Sequence, residues 1–222
     1  MANKDWQLFV FDWDGTLMDT TSLIMKGYQH ASVELGYPKP SDELVLSTIG
    51  LNRSDYIGIC CADCPPGRYA EFTKAYMDWY AKQESQLDLV PGFRKLLTNM
   101  HKDGRRLAIA TGKSRAGVER VFKITGVGDL FEAVQTADTN FSKPNPMMLH
   151  SLADESGLET TDMVMIGDSV LDMQMASNAK ADSVAMTYGA SPADKLKQYA
   201  SLGTADNVEE LAKILNLTQY LE

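Results

Sequence analysis

The chain has 222 residues, 44% of them apolar and 23% charged, enough for one large domain or a core domain with a smaller companion. Its formal net charge of −9 argues against a general phosphate-backbone binder, and no apolar run is long enough to cross a bilayer. Met1 to Trp6 form no apolar signal segment, so the expectation is a cytoplasmic protein, monomer or homodimer, with no nucleic-acid or membrane partner.

Leu8-Phe9-Val10-Phe11 reads as a buried strand that runs directly into Asp12-Trp13-Asp14-Gly15-Thr16. Side chains at i and i+2 of a strand share a face, which starts Asp12 and Asp14 about 7 Å apart and sends Trp13 to the opposite side. Two like charges that close call for a cation. The pattern then turns helical from Ser22 to Leu35, where Gly36 stops it and Pro38 and Pro40 keep the chain extended. Ser41 has the chemistry of an N-cap, with Asp42 and Glu43 in the first turn where the helix dipole favours them. Gly50 breaks that segment, Ser54 is the expected cap of another reaching Ala62, and Pro65-Pro66-Gly67 is a turn before a long helix from Tyr69 to Gln83. Between Leu17 and Leu87 the chain reads as all helix. Cys61-Ala-Asp-Cys64, beside Cys60, has the spacing of half a zinc site, but no second pair lies near it; half-buried side chains at a helix end are the expectation.

From Pro91 the texture changes. A helix from Pro91 to Lys102 precedes the strand Leu107–Ala110, and Ser114 caps a helix to Thr125. The strand Ala133–Thr136, a helix from Pro146 to Glu155, the strand Met163–Ile166, a helix to Ala179 and the strand Ser183–Met186 follow. This alternation implies an α/β fold: a Rossmann-like parallel sheet covered on both faces, with residues 1–16 and 91–222 as core and 17–90 as an inserted helical cap. Met165, Met173 and Met175 read as core filler, and His30, His101 and His150 as helix-surface or packing residues.

Ligands of an open parallel sheet bind beyond the carboxyl ends of its strands. Three strand ends carry polar residues: Asp12 to Thr16, Thr111-Gly112-Lys113, and Gly167-Asp168-Ser169 followed by Asp172. A loop, Ser142-Lys143-Pro144-Asn145-Pro146, joins them. Each residue alone also fits a plainer role: Asp12 and Asp14 in a turn leading to Gly15, Asp168 as a helix cap, Thr111 in a strand-to-helix turn, Lys143 as a solvated cation. Jointly those roles fail, because capping does not require four acidic groups to converge without a cation. Such oxygen-rich, hard ligands suit Mg²⁺.

Asp12-x-Asp14-Gly15-Thr16, Thr111, Lys143-Pro144 and Gly167-Asp168-x-x-x-Asp172 resemble, in order, the four motifs of the haloacid dehalogenase-like hydrolase superfamily, most closely its phosphoglycolate phosphatase-like branch. The resemblance implies a Mg²⁺-dependent phosphatase acting on a small phosphorylated metabolite. Asp12 would be the nucleophile that forms an aspartyl-phosphate, and Asp14 the general acid and base. The metal would take the carboxylates of Asp12 and Asp168 and the carbonyl of Asp14, with Asp172 and Ser169 behind them. Gly15, Thr16, Thr111, Gly112 and Lys143 would serve the phosphate. The helical insertion resembles that family's cap, whose crossings near 17–21 and 86–91 would hinge, with Asp19 at a helix start.

A phosphosugar mutase of the same superfamily would use the same residues, and a non-catalytic phosphate-binding regulator would need none of them intact. A dehalogenase needs no acid at Asp14. Trp13 is bulkier than the family's usual Leu or Met, and the Asp138 to Phe141 loop matches no one subfamily. Gly50-Leu51-Asn52-Arg53 resembles the cap loop of the phosphosugar mutases, which implies that Arg53 grips a second anionic group of the substrate; a solvated loop cation is the alternative.

Overall fold

The computed structural model describes residues 4–84 and 87–222. Six strands make one parallel sheet: β1 (Leu8–Phe11), β2 (Arg106–Thr111), β3 (Ala133–Thr136), β4 (Met163–Gly167), β5 (Asp182–Met186) and β6 (Gly203–Ala205). Their order is β3-β2-β1-β4-β5-β6, the doubly wound arrangement, which reverses between β1 and β4 and opens a crevice there. β1 is therefore central, with Phe11 level with Ile109 of β2 and Ile166 of β4.

Both faces of the sheet are covered, and strand periodicity sorts the side chains. Phe9, Phe11, Leu107, Ile109, Val164 and Ile166 face one apolar cluster, with α5 (Phe93–Lys102) and α10 (Val208–Ile214); Leu8, Val10, Ala108, Ala110, Met163 and Met165 face another, with α7 (Met147–Ser156) and α8 (Val170–Ala179). Trp13 continues the first set, fully buried edge-on against Phe122 and Phe131, so the aspartates on either side of it point the other way. Met165, Met173 and Met175 are buried, as expected of core filler.

Between β1 and α5 the chain folds as α1 (Thr21–Glu34), α2 (Asp42–Leu46), α3 (Arg53–Cys60) and α4 (Tyr69–Glu84). This segment buries a cluster of its own, including Ile24, Val45, Ile57 and Phe72, in which Tyr28 stacks between Tyr56 and Tyr76 at centroid distances of 3.4 and 4.2 Å. Where the chain passes between the two clusters, the Val90 N–H donates to the Leu17 carbonyl at 2.8 Å. Gln86, at the start of the second expected crossing, lies outside the described residues, as does Ser85.

Some boundaries differ from the sequence reading. Ser41 caps α2 and Ser114 caps α6 (Arg115–Thr125) as expected, but α3 is capped by Asn52, whose side-chain oxygen accepts from the Asp55 N–H; Ser54 lies inside the first turn. The helix expected from Pro91 begins at Phe93, after Gly92 at φ +93°. Cys60, Cys61 and Cys64 are free thiols, buried in the insertion's cluster rather than half-buried. Beyond Met186 lie α9 (Ala193–Tyr199), β6 and α10, for which the sequence raised no expectation; the strand is only three residues long. Among the described residues no helix is long and apolar enough to cross a membrane.

Candidate active site

Asp12 leaves the end of β1 with its N–H donated to the Ile166 carbonyl at 2.9 Å, which ties it to the neighbouring strand. Its carboxylate is buried, and the Lys143 ammonium stands 2.9 Å from Oδ1, off the hydrogen-bonding direction. Lys143, itself buried, donates instead to Asp172 Oδ1 at 2.6 Å. The other oxygen of Asp172 accepts from the N–H and hydroxyl of Ser169, at 3.0 and 2.6 Å, while Ser169 caps α8 in return. Asp168 accepts from the Thr16 hydroxyl at 2.8 Å and the Ala190 N–H at 2.7 Å.

These groups are short of positive charge: three carboxylates face one ammonium. Burial pushes Asp12 up to about 7 despite the pull of Lys143, with Asp172 and Asp14 adding to the rise. Burial, then the charges of Asp12 and Asp172, hold Asp168 well above the usual carboxylate range. Burial alone would lower Lys143, but Asp12 and Asp172 more than offset it and raise it.

Carboxylate oxygens of Asp12, Asp168 and Asp172 lie within 4.8 Å of one another, the one such acidic cluster among the described residues. The donors are all oxygen, the chemistry of a hard divalent cation. The loops close on Asp168 only because Gly15, at φ +85°, and Gly189 carry no side chain; a Cβ on either would collide with that carboxylate. The cluster therefore fits a hard divalent metal ion.

Asp14 stands apart from this cluster. Its Oδ1 accepts from the Thr20 hydroxyl at 2.7 Å and from Lys113 Nζ at 2.8 Å. Asp12, Asp14, Thr111, Gly112 and Lys113 line a cavity of about 60 Å³ whose other wall is the insertion, with Tyr28, Arg53, Tyr56 and Tyr80. Thr111 ends β2 fully buried, its hydroxyl accepting from the Lys113 N–H at 3.2 Å. A Cβ on Gly112 would come within 2.6 Å of the Gly50 carbonyl oxygen, so glycine here allows the insertion's loop to rest on the strand end.

The structure thus brings Asp12, Asp14, Thr111, Gly112 and Arg53 to one cavity and sets Lys143, Asp168, Ser169 and Asp172 around Asp12. Gly15 and the Thr16 side chain serve Asp168 rather than the cavity wall. Asp172 belongs to the carboxylate cluster itself, whereas the side chain of Asp14 does not. Arg53 opens α3, with its guanidinium 5.8 Å from the centre of the Tyr76 ring and Nε buried without a hydrogen-bond partner among the described residues; the Tyr56 hydroxyl is likewise unpaired. Tyr28, beside it, is pushed up to about 12 by burial, with Arg53 pulling the other way. Asp19 is exposed; its neighbour Thr20 is the residue that reaches Asp14. The sequence reading placed Lys113 at a polar strand end and Asn52 in the Gly50 to Arg53 loop without giving either a role of its own, and it gave none to Thr20 or the tyrosines. Lys113 had one visible signal, its position two residues after Thr111.

A family model for haloacid dehalogenase-like hydrolases matches residues 9–186. The chain is 29% identical over 224 residues to phosphoglycolate phosphatase of Vibrio parahaemolyticus, covering 97% of this chain and 98% of that protein. The crystal structure of a hydrolase from Pseudomonas syringae superposes with a TM-score of 0.85 at 21% identity, covering 95% of this chain and 98% of that one. The structure of CbbY from Rhodobacter sphaeroides, solved in complex with phosphate, gives 0.79 at 20% identity, covering 95% and 99%. The chain belongs to the haloacid dehalogenase-like hydrolase family.

Proposed function

We propose that this protein is a phosphatase that hydrolyses a small phosphate monoester through an aspartyl-phosphate, in the manner of the phosphoglycolate phosphatases. The observation that carries the reading is the buried Asp12 carboxylate beside Lys143, opening on the same cavity as Asp14. The near full-length similarity to a phosphoglycolate phosphatase supports the same class of substrate.

An oxygen of Asp12 bonds to phosphorus as the ester P–O bond breaks, and the departing oxygen takes a proton from Asp14. Asp14 then takes a proton from water, whose oxygen bonds to phosphorus and breaks the P–O bond to Asp12, releasing phosphate. Thr111 and the Gly112 N–H hold the phosphoryl oxygens, and Lys143 offsets the charge on Asp12 and on the phosphoryl group. Asp12 and Asp168, with the Asp14 carbonyl, would hold Mg²⁺, which when bound neutralises the carboxylates and withdraws charge from the phosphoryl group. Asp172 and Ser169 orient Lys143 and the cluster. Residues 17–90 act as a cap that closes the cavity against water.

The test is a panel of small phosphomonoesters with and without Mg²⁺, together with Asp12→Asn. Turnover that needs Mg²⁺, an acid-stable phosphoenzyme in the wild type, and loss of both in Asp12→Asn are expected. Full activity in chelator, or normal turnover by the variant, overturns the reading.

A further inference from the structure

The reaction set out above gives Lys113 no task, yet its side chain is held by two partners. It is only 10% exposed, its Nζ donates to Asp14 Oδ1 at 2.8 Å, and the same ammonium lies 5.4 Å from the centre of the Tyr80 ring in α4. The Thr20 hydroxyl donates to the same oxygen of Asp14 at 2.7 Å. The backbone of Lys113 is fixed as well, its N–H donating to Thr111 Oγ1 and its carbonyl accepting from the Ala137 N–H at 3.1 Å. A solvated lysine has none of these restraints.

The terminal torsion of an aspartate is broad, so a lone carboxylate samples many directions. Two donors on one oxygen, one of them charged, narrow that range and leave Oδ2 as the oxygen free to exchange a proton. An ammonium on an aromatic face is also attracted to the ring, the more so away from water. Tyr80 belongs to the insertion and Asp14 to the strand end, so the two partners of this ammonium come from opposite walls of the cavity.

We propose that Lys113 is a positioning residue for proton transfer: with Thr20 it fixes Asp14 through Oδ1, and through Tyr80 it makes that fixing depend on the insertion being seated over the site. The proposal rests on the phosphatase reading, in which Asp14 protonates the departing oxygen. Lys113 acts in it through Asp14 and not on the phosphate, which falls to Thr111, Gly112 and Lys143.

The variants Lys113→Met, Lys113→Arg and Tyr80→Leu are compared with wild type on an alkyl phosphate, whose leaving oxygen needs a proton, and on 4-nitrophenyl phosphate, whose leaving oxygen needs little. A crystal structure of Lys113→Met accompanies the kinetics. Lys113→Met should lower kcat/KM, which reports phosphoenzyme formation, by about 100-fold on the alkyl ester and by less than about 3-fold on the aryl ester, while the water step that also uses Asp14 lowers kcat on both. Lys113→Arg should restore most of the loss, Tyr80→Leu should fall in the same direction by less, and the Asp14 carboxylate should be displaced or disordered in the Lys113→Met crystal. A raised KM on both esters with kcat kept would make Lys113 a phosphate ligand and overturn the proposal, as would an unmoved Asp14. If the wild type hydrolyses neither ester, the phosphatase reading fails, and the position of Asp14 in the variant still decides this one.

Discussion

Asn52 gives both its backbone N–H and its side-chain amide to the hydroxyl of Ser142, at 3.0 and 2.6 Å. Asn52 is the cap of α3 in the insertion, and Ser142 is the residue before Lys143. The start of α3 is therefore tied to the loop that delivers the lysine to Asp12.

Ser142→Ala cuts this tie and leaves the α3 cap intact. The lost hydrogen bonds should reduce kcat/KM by about 3- to 10-fold, with little change in thermal stability. Asn52→Ala removes the tie and the cap together, and should in addition destabilise the protein by about 1 kcal/mol. Steady-state kinetics beside thermal melts separate the two; unchanged kinetics in Ser142→Ala would leave the contact without a role.

Metal uptake should depend on pH. With Asp12 held at about 7 and Asp168 also raised, Mg²⁺ must displace protons, so its affinity should be weak at pH 5.5 and climb as the pH passes 7. Stability carries the opposite sign. The unfolded Asp12 carboxyl titrates near 3.8, so between about 4 and 7 the folded, metal-free protein holds more protons than the unfolded chain and loses stability as the pH rises. Carboxylates held low by partners, such as Asp88 beside the Leu89 N–H and Arg94, act below that window. Melts in chelator and in Mg²⁺ at pH 5.5 and 8 check this: the Mg²⁺ increment should be larger at pH 8, and equal increments would contradict it.

Arg53→Ala should raise KM for esters that carry a second anionic group, at a cost of roughly 1.5–3 kcal/mol for a lost charged hydrogen bond, and leave a neutral aryl phosphate nearly unaffected. The buried Nε without a partner is the donor this expectation uses. Identical kinetics on both substrates would leave the guanidinium as packing for the Tyr76 ring and for Met77, whose sulfur lies 3.8 Å from Nη2.

What the sequence made legible is what local chemistry dictates. β1, β2 and β4 are runs of apolar residues buried on both faces, and their polar ends announced Asp12, Asp14, Thr111 and Asp168. The four-helix insertion was visible because Gly and Pro punctuate it and Ser41 caps a helix. What escaped depends on contacts distant in sequence. Lys113 reaches Asp14 across 99 residues and Asn52 reaches Ser142 across 90, and no periodicity encodes either. The choice of Asn52 over Ser54 as cap turned on a two-residue shift in where the chain leaves extended geometry. β6 is too short to hold a pattern, and its place follows from pairing with β5.

The Gly112 and Gly50 contact also sets a dimension of the reaction chamber. At this point the insertion rests on main chain rather than on a side chain, so the height of the chamber above Gly112 is set by the backbone and not by a rotamer. Substrate size should then respond to substitution at Gly112 in a step rather than gradually: the first added methyl lifts the roof, and admits longer esters along with the water that the closed roof keeps out.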